Sequence, residues 1–201
     1  GVVSQMSAVG RTLEVLHVFH FENTSDQLYS SDRQLGPNRY ASLEIALPVG
    51  ALVVALDGEQ RFLVDSENYT ITDTRAVLPG GEHFVRVSYL LPYDDGAIIE
   101  YPVHYAASGP LRVLMQGDAI RVSGDGISDL GPETVGGNTF NAYGGMLDLS
   151  PGDVVRFELR GRVPGQGTSG DPSVITSDNL LLIIGGGLLL VALVIGALIV
   201  I

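Results

Sequence analysis

The sequence has 201 residues, a formal net charge of −12 and no cysteine. Without Cys, it cannot form disulfides, thiolate metal sites, iron–sulfur clusters or thioether-attached haem. All of its basic residues are Arg, and such an acidic chain is poorly suited to nucleic acid or anionic lipid, whose phosphates attract cations. The net charge favours solubility, and docking of a basic protein partner is the alternative explanation.

Residues 1–163 show the pattern of short β-strands. In TLEVLHVFHFEN every second residue from Leu13 to Phe21 is apolar or His, and this period of two predicts a half-buried strand. Further strands are predicted at residues 41–47, 51–56, 61–72, 82–93, 97–106, 111–116, 119–123, 133–143 and 154–163. Pro and Gly precede several of them, because Pro presets φ for a turn and Gly accepts a positive φ. The pattern predicts an all-β fold, an antiparallel β-sandwich of the Ig-like or Greek-key type, with two small β subdomains as the alternative.

The segment HFVRVSYLLPYDDGAIIEYPVHY predicts a β-hairpin. Asp94–Gly96 would form a three-residue loop with Gly96 in the left-handed conformation. Closing the hairpin at this loop would place Tyr89 directly across from Tyr101 on an apolar face. Pro102 has no backbone N–H donor, which places its strand at a sheet edge or opposite a gap in the ladder.

The composition changes after residue 163. Residues 164–179 are rich in Gly, Ser, Pro and Asp, which predicts a flexible linker. Residues 180–201 contain no charged or polar side chain, and a helix of this length would reach ~33 Å, enough to cross a bilayer core of ~30 Å. The sequence therefore predicts a single C-terminal transmembrane helix. It also predicts that the β domain lies on the extracytoplasmic side of the cell membrane, since a domain before a stop-transfer segment is most simply exported.

Small residues lie along the predicted transmembrane helix. Gly185, Gly186 and Gly187 are in its first third, and Ala192 and Gly196 follow with three residues between them. In lipid, small residues let helix backbones approach each other closely. These five residues are therefore predicted to pack against a partner protein, and the alternative is the general frequency of Gly in transmembrane helices.

Residues with metal-binding chemistry occur without a recognised spacing. His17 and His20 are three apart on a predicted strand, so their side chains should point to opposite sides of the sheet. The segment SGDGISD carries Asp125 and Asp129, which predicts a turn supported by Asp side chains, with a Ca²⁺ site as the less favoured alternative. A GxGxxG pattern at residues 165–170 falls in the linker, without the flanking strand and helix of a dinucleotide site. We therefore predict no metal and no cofactor.

Recognised catalytic motifs do not occur in the sequence. There is no Cys nucleophile and no GxSxG elbow, and the carboxylates show no distinguishing pair, so we predict that the protein is not an enzyme. Two tripeptides, which begin at Asn23 and Asn68, fit the glycosylation sequon.

The LPYDDG hairpin, the SPGDVVRFELRG strand, the linker and the C-terminal span together resemble accessory subunits of bacterial membrane electron-transfer complexes, of the alternative complex III type. The resemblance implies a non-catalytic subunit of a respiratory or photosynthetic complex. Its partners would be the catalytic and haem-bearing membrane subunits, contacted through the transmembrane helix and the sandwich surface, and the bilayer. The alternative is a free-standing, membrane-tethered ectodomain for binding, adhesion or sensing.

Overall fold

The computed structural model describes residues 2–9, 11–162 and 198–200. Within these residues the chain forms β-strands, one 3₁₀ turn at Glu59–Arg61 and no α-helix. The strands are β1 (Val2–Val9), β2 (Thr12–Asn23), β3 (Gln34–Gly36), β4 (Arg39–Tyr40), β5 (Leu43–Ala46), β6 (Leu52–Leu56), β7 (Phe62–Asp65), β8 (Thr70–Asp73), β9 (Glu82–Pro92), β10 (Gly96–Pro102), β11 (Ala107–Gln116), β12 (Arg121–Ser123), β13 (Ser128–Val135), β14 (Asn138–Leu149), β15 (Val154–Arg160) and β16 (Leu198–Val200).

The strands form one large sheet and three smaller ones. The large sheet has the order β13-β14-β11-β1-β2-β9-β6, and β16 also belongs to it through pairing with β2 and β11. Its pairs are antiparallel except β1–β11 and β16–β2, which are parallel. The smaller sheets are β10-β15-β12, β5-β8-β7 and the two-stranded β3-β4 ribbon.

A large hydrophobic core joins the large sheet to two of the smaller sheets. On β9, His83, Val85, Val87, Tyr89 and Leu91 are buried, whereas the residues between them are more exposed. This period of two is typical of a strand with one side on the core and one side toward solvent. The larger hydrophobic cluster contains residues of the large sheet, of β10-β15-β12 and of β5-β8-β7. The predicted all-β fold is confirmed, and the arrangement is compatible with a β-sandwich.

The predicted hairpin of β9 and β10 is wrong. β9 pairs with β2 and β6, whereas β10 pairs with β15 in another sheet. The chain therefore changes sheets at Asp94–Gly96 instead of folding back on itself. The left-handed residue at this corner is Asp95, with φ of 61°, and not Gly96. The prediction for Pro102 is confirmed, because β10 lies at the edge of its sheet within the described chain.

Two predicted strands are in fact hairpins. The segment 61–72 divides into β7 and β8, and Tyr69 just before β8 has a φ of 52°. The segment 133–143 divides into β13 and β14, which are joined by Gly136 and Gly137 with φ of 58° and 83°. The sequence analysis also missed β1, β3 and β4, and it predicted no strand at β16.

The predicted C-terminal elements lie almost entirely outside the described residues. This is true of the linker at 164–179, of the packing residues Gly185, Gly186, Gly187, Ala192 and Gly196, and of most of the span at 180–201. The three residues Leu198–Val200 are described and form β16, a strand where the sequence predicted helix. No helix long and apolar enough to cross a membrane is found in the described part of the chain.

Candidate functional site

His17 lies in the core, on the inward side of β2, and is fully buried. The Tyr89 hydroxyl lies 3.3 Å from its Nδ1, and the Tyr101 hydroxyl lies 3.4 Å from its Nε2. Phe19 stacks on the imidazole, with ring centroids 4.1 Å apart. Burial lowers the pKa of His17 to about 3, because apolar surroundings disfavour the charged ring. His17 is therefore neutral near pH 7.

The two tyrosine hydroxyls complement this neutral ring. A neutral imidazole has one N–H donor and one acceptor nitrogen, whereas a Tyr hydroxyl can donate or accept. One hydroxyl can therefore donate to the bare nitrogen while the other accepts from the N–H. Burial also raises the pKa of Tyr89 and Tyr101, so both hydroxyls keep their protons. The cluster connects β2 and β9 with β10 across the core. Tyr89 and Tyr101 were expected to face each other within a ladder, and they face each other between sheets instead.

Asp73, His83 and Arg61 form a second buried cluster. The Asp73 Oδ2 lies 2.8 Å from His83 Nε2 and 3.3 Å from Arg61 Nε. The Asp73 Oδ1 accepts a hydrogen bond from the backbone N–H of Arg75 at 2.9 Å. Asp73 is fully buried, and His83 is nearly so. The sequence analysis did not find this cluster, which joins the end of β8 to β9.

The chemistry of this cluster is that of a structural ion pair. An Asp–His pair also serves hydrolases, in which the imidazole takes a proton from a nearby hydroxyl nucleophile. Among the described residues, His83 makes no hydrogen bond to a hydroxyl group. The carboxylate of Asp73 is shared with the Arg61 guanidinium, which balances its charge in the interior. His83 and Arg61 together therefore hold the buried carboxylate in place.

The remaining residues with metal-binding chemistry are dispersed. His20 lies on the outer side of β2, opposite to His17 as predicted, and its ring stacks on Phe84 with centroids 4.5 Å apart. Asp129 accepts a hydrogen bond from the Gly131 N–H at 2.9 Å at the register shift within β13, whereas the turn lies before this strand, at Asp125 and Gly126. Across residues 2–9 and 11–162, no three His, Asp or Glu side chains come together in a way that could hold a metal ion.

The two sequons differ in accessibility. Asn23 is buried, and its Nδ2 donates to the carbonyl oxygens of Gln27 and Val77 at 2.7 and 3.0 Å. Asn68 is exposed in the turn between β7 and β8, where its Nδ2 donates to Asp65. An oligosaccharide could therefore be attached at Asn68 without unfolding, whereas Asn23 is part of the core.

A groove of about 850 Å³ follows β15 from Val154 to Glu158 and is also lined by residues of β10, β14 and the loop after β12. We call it the distal groove. Its floor includes Leu147 and Leu149 of β14 and Phe157 of β15, all of which belong to the hydrophobic core or pack against it.

Large apolar side chains are exposed at the rim of the distal groove. Met146 is 76% exposed, Ile98 is 54% exposed and Val154 is 43% exposed. Single exposed apolar residues are normal on protein surfaces, but a group of them around an apolar floor is typical of a binding site. The distal groove is therefore the best candidate for an interaction site on the described surface.

The strand edge beside the groove has a free backbone. β13 pairs with β14 only as far as Gly144, so the outer edge of Met146–Leu149 has no strand partner among the described residues. The loop that follows β12 crosses β14 at Gly145, and the Gly126 carbonyl oxygen lies 1.9 Å from where a Cβ of residue 145 would be. Only Gly fits at this crossing, which forms one end of the groove.

The charges that line the distal groove are mostly negative. Four carboxylates and one guanidinium contribute to its lining, and they belong to Glu100, Asp125, Asp148, Glu158 and Arg156. Arg156 lies 3.6 Å from Glu100. Asp125 and Asp148 form no ion pair with any side chain in the described part of the chain. The groove therefore presents an excess of negative charge.

A second, smaller cavity of about 30 Å³ lies where β5 and β10 approach each other. Phe21 and Tyr101 are among its lining residues, and most of its wall is apolar. This volume is close to that of one or two water molecules.

Comparisons with protein-family models and with curated proteins found no match for this chain. The residues of the groove are therefore the basis for assigning a function. The sequence analysis did not identify them, because Ile98, Met146 and Val154 come from three different strands. The MLDL segment of β14 did carry a local signal of the groove. Met146 is an exposed apolar residue at an outward-facing position, where the alternation of the strand predicts a polar residue.

Proposed function

We propose that this protein is a non-catalytic, membrane-anchored accessory subunit of a multi-subunit membrane complex of respiratory or photosynthetic electron transfer. The observation that carries the proposal is the distal groove, whose apolar floor, exposed apolar rim and free strand edge are suited to protein binding. The uninterrupted apolar stretch at 180–201 supplies the membrane anchor of the proposal.

The use of the buried polar residues also supports a non-catalytic role. The His17 imidazole is neutral and contacts two protonated tyrosines, and the Asp73 carboxylate is shared between His83 and Arg61. A catalytic base needs access to a substrate and a pKa near the working pH. His17 has neither, since it is fully buried and its pKa is about 3.

The proposal is tested by extracting native membranes in mild detergent and following the chain through size exclusion and blue-native gels. We expect it to co-migrate in fixed stoichiometry with membrane subunits that carry haem or other redox centres. Migration of the chain alone, or as a simple homodimer, would contradict the accessory-subunit proposal.

The predicted packing residues of the span provide a second test. Replacing Gly186 and Gly196 together by Leu should release the chain from its complex, because the larger side chains prevent close helix approach. Val191→Leu is the matched control, since residue 191 would lie about 140° around a helix from both residue 186 and residue 196. Near-ultraviolet circular dichroism should show that the β domain stays folded in both variants. Retention of the double variant in the complex would refute the packing role.

A free-standing, membrane-tethered binding or sensing ectodomain is the second candidate. The exposed apolar rim of the distal groove favours it, because Met146, Ile98 and Val154 would be open to a ligand on a domain that has no fixed partner. This candidate predicts that the span tolerates Gly186→Leu and Gly196→Leu without any change in migration.

A further inference from the structure

We propose that the distal groove binds an extended, basic segment of another protein, which adds a β-strand to the free edge of β14 at Met146–Leu149. This inference rests on the proposed function and gives the chemistry of the partner at that site. Three properties of the groove support it: its backbone edge, the alternation of its floor and its charge.

The backbone edge requires an extended partner. From Met146 to Leu149, β14 is paired with β11 on one side and is open on the other within the described chain. Backbone N–H and C=O groups along such an edge are a template for another strand. Four residues at ~3.4 Å each give about 14 Å of edge, enough for a segment of about four residues. A compact ligand would leave these groups without partners.

The side chains beside the edge fit an alternating sequence. In an added strand every second side chain points to the same face. Leu147 and Leu149 are half-buried on the floor side of β14, whereas Met146 and Asp148 are exposed on its other side. An added strand would therefore place one set of apolar side chains over the leucines. Its other set would lie near Asp148 on the solvent side.

The charge of the groove selects a basic segment. Asp125 and Asp148 have no ion-pair partner among the described residues, and Glu158 is balanced by Arg160 at 2.7 Å. Lys or Arg side chains on the solvent side of the added strand would lie beside the two free carboxylates. An acidic segment would be repelled, so the same charges provide specificity.

Binding is measured with the full-length chain in detergent micelles and with two fluorescent peptides of nine residues. The first peptide alternates Val and Lys, and the second alternates Val and Glu. We expect saturable binding of the Val/Lys peptide by fluorescence anisotropy, at least tenfold tighter than binding of the Val/Glu peptide. A Val/Lys peptide that is N-methylated at alternate residues should bind at least tenfold more weakly, because it cannot form the strand hydrogen bonds.

Variants locate the binding within the molecule. The double variant Asp125→Asn, Asp148→Asn should bind the Val/Lys peptide about five- to tenfold more weakly. This is a typical range for the loss of two exposed charge pairs. The matched control is Glu67→Gln combined with Asp118→Asn, which removes two exposed carboxylates that do not line the groove. Hydrogen exchange should show slower exchange of the amides at 146–149 when the peptide is bound.

The outcomes separate this inference from the proposed function. Equal binding of the two peptides, no saturable binding, or equal effects of the two double variants would overturn the groove assignment, even if the native complex contains the predicted subunits. Peptide binding at the groove together with migration of the native chain alone would retain the assignment. In that case the accessory-subunit proposal would fail, and the tethered-ectodomain candidate would take its place.

Discussion

Acidification should destabilise the domain through His17. In the unfolded chain this imidazole has an ordinary pKa near 6.5, whereas burial lowers its pKa in the folded domain to about 3. The stability that depends on the neutral ring is therefore fully present above pH 6.5. It is lost as the pH falls toward 3, because the unfolded state binds a proton that the folded state excludes. Each pH unit in this window corresponds to about 1.4 kcal/mol, so the loss at pH 4.5 is on the order of 3 kcal/mol.

The assay compares the chain with a His17→Gln variant in urea titrations from pH 7.5 to pH 4. Gln offers a donor and an acceptor to the Tyr89 and Tyr101 hydroxyls but does not titrate. Carboxylates contribute equally to the pH dependence of stability in both proteins. The difference between the two unfolding free energies therefore isolates the contribution of His17. We expect this difference to change by about 2–3 kcal/mol between pH 7 and pH 4.5. Parallel pH profiles of the two proteins would refute the assignment of His17 as a buried neutral group.

Three further predictions concern stability and modification. Asp73→Ala should lower the free energy of unfolding by about 3–5 kcal/mol, because it leaves Arg61 charged beside the core. The control Asp94→Ala should lower it by less than about 1 kcal/mol, because the pair of Asp94 with Arg11 is exposed. Similar urea midpoints for the two variants would contradict the structural role of Asp73. Gly145→Ala should lower the free energy of unfolding by about 2 kcal/mol or more, because the added methyl group overlaps the Gly126 carbonyl. Gly36→Ala is the control, since its methyl group meets nothing within 4 Å and should change the thermal midpoint little. Expression through a eukaryotic secretory pathway should add one glycan, at Asn68, and the Asn68→Gln variant should lack it. Endoglycosidase digestion detects the glycan as a change in mass. A glycan at the buried Asn23 would mean that the chain is modified before it folds.

The alternation of side chains predicted the strands better than it predicted their partners. β2 and β9 were recognised because their inward residues recur with a period of two. The same period occurs in β10, and a strand that crosses to another sheet has the same alternation as one that folds back. Local sequence therefore could not distinguish a hairpin from a corner at Asp94–Gly96. The Gly136–Gly137 turn did carry a hairpin signal, and the predicted strand at 133–143 overlooked it.

The two buried polar clusters were harder to predict than the strands. Asp73 and His83 lie on different strands, each near the end of its alternating run, and neither residue indicates the other as its partner. Their contact depends on how the sheets pack, which the sequence pattern does not contain. The distal groove was missed for the same reason, since its floor and rim belong to strands that meet only in the folded domain.

The parallel pairing of β1 with β11 has a consequence for biosynthesis. Val2 is paired with Leu111, and 111 − 2 gives a separation of 109 residues along the chain. Closing a loop of this length costs about 4 kcal/mol of chain entropy, and contacts of such high separation slow folding. During synthesis, the first strand can pair with β2 as soon as both leave the ribosome, but its other edge has no partner until β11 is made. The nascent chain therefore carries an open apolar edge while about 100 residues are translated, a period in which a holdase chaperone would protect it from aggregation.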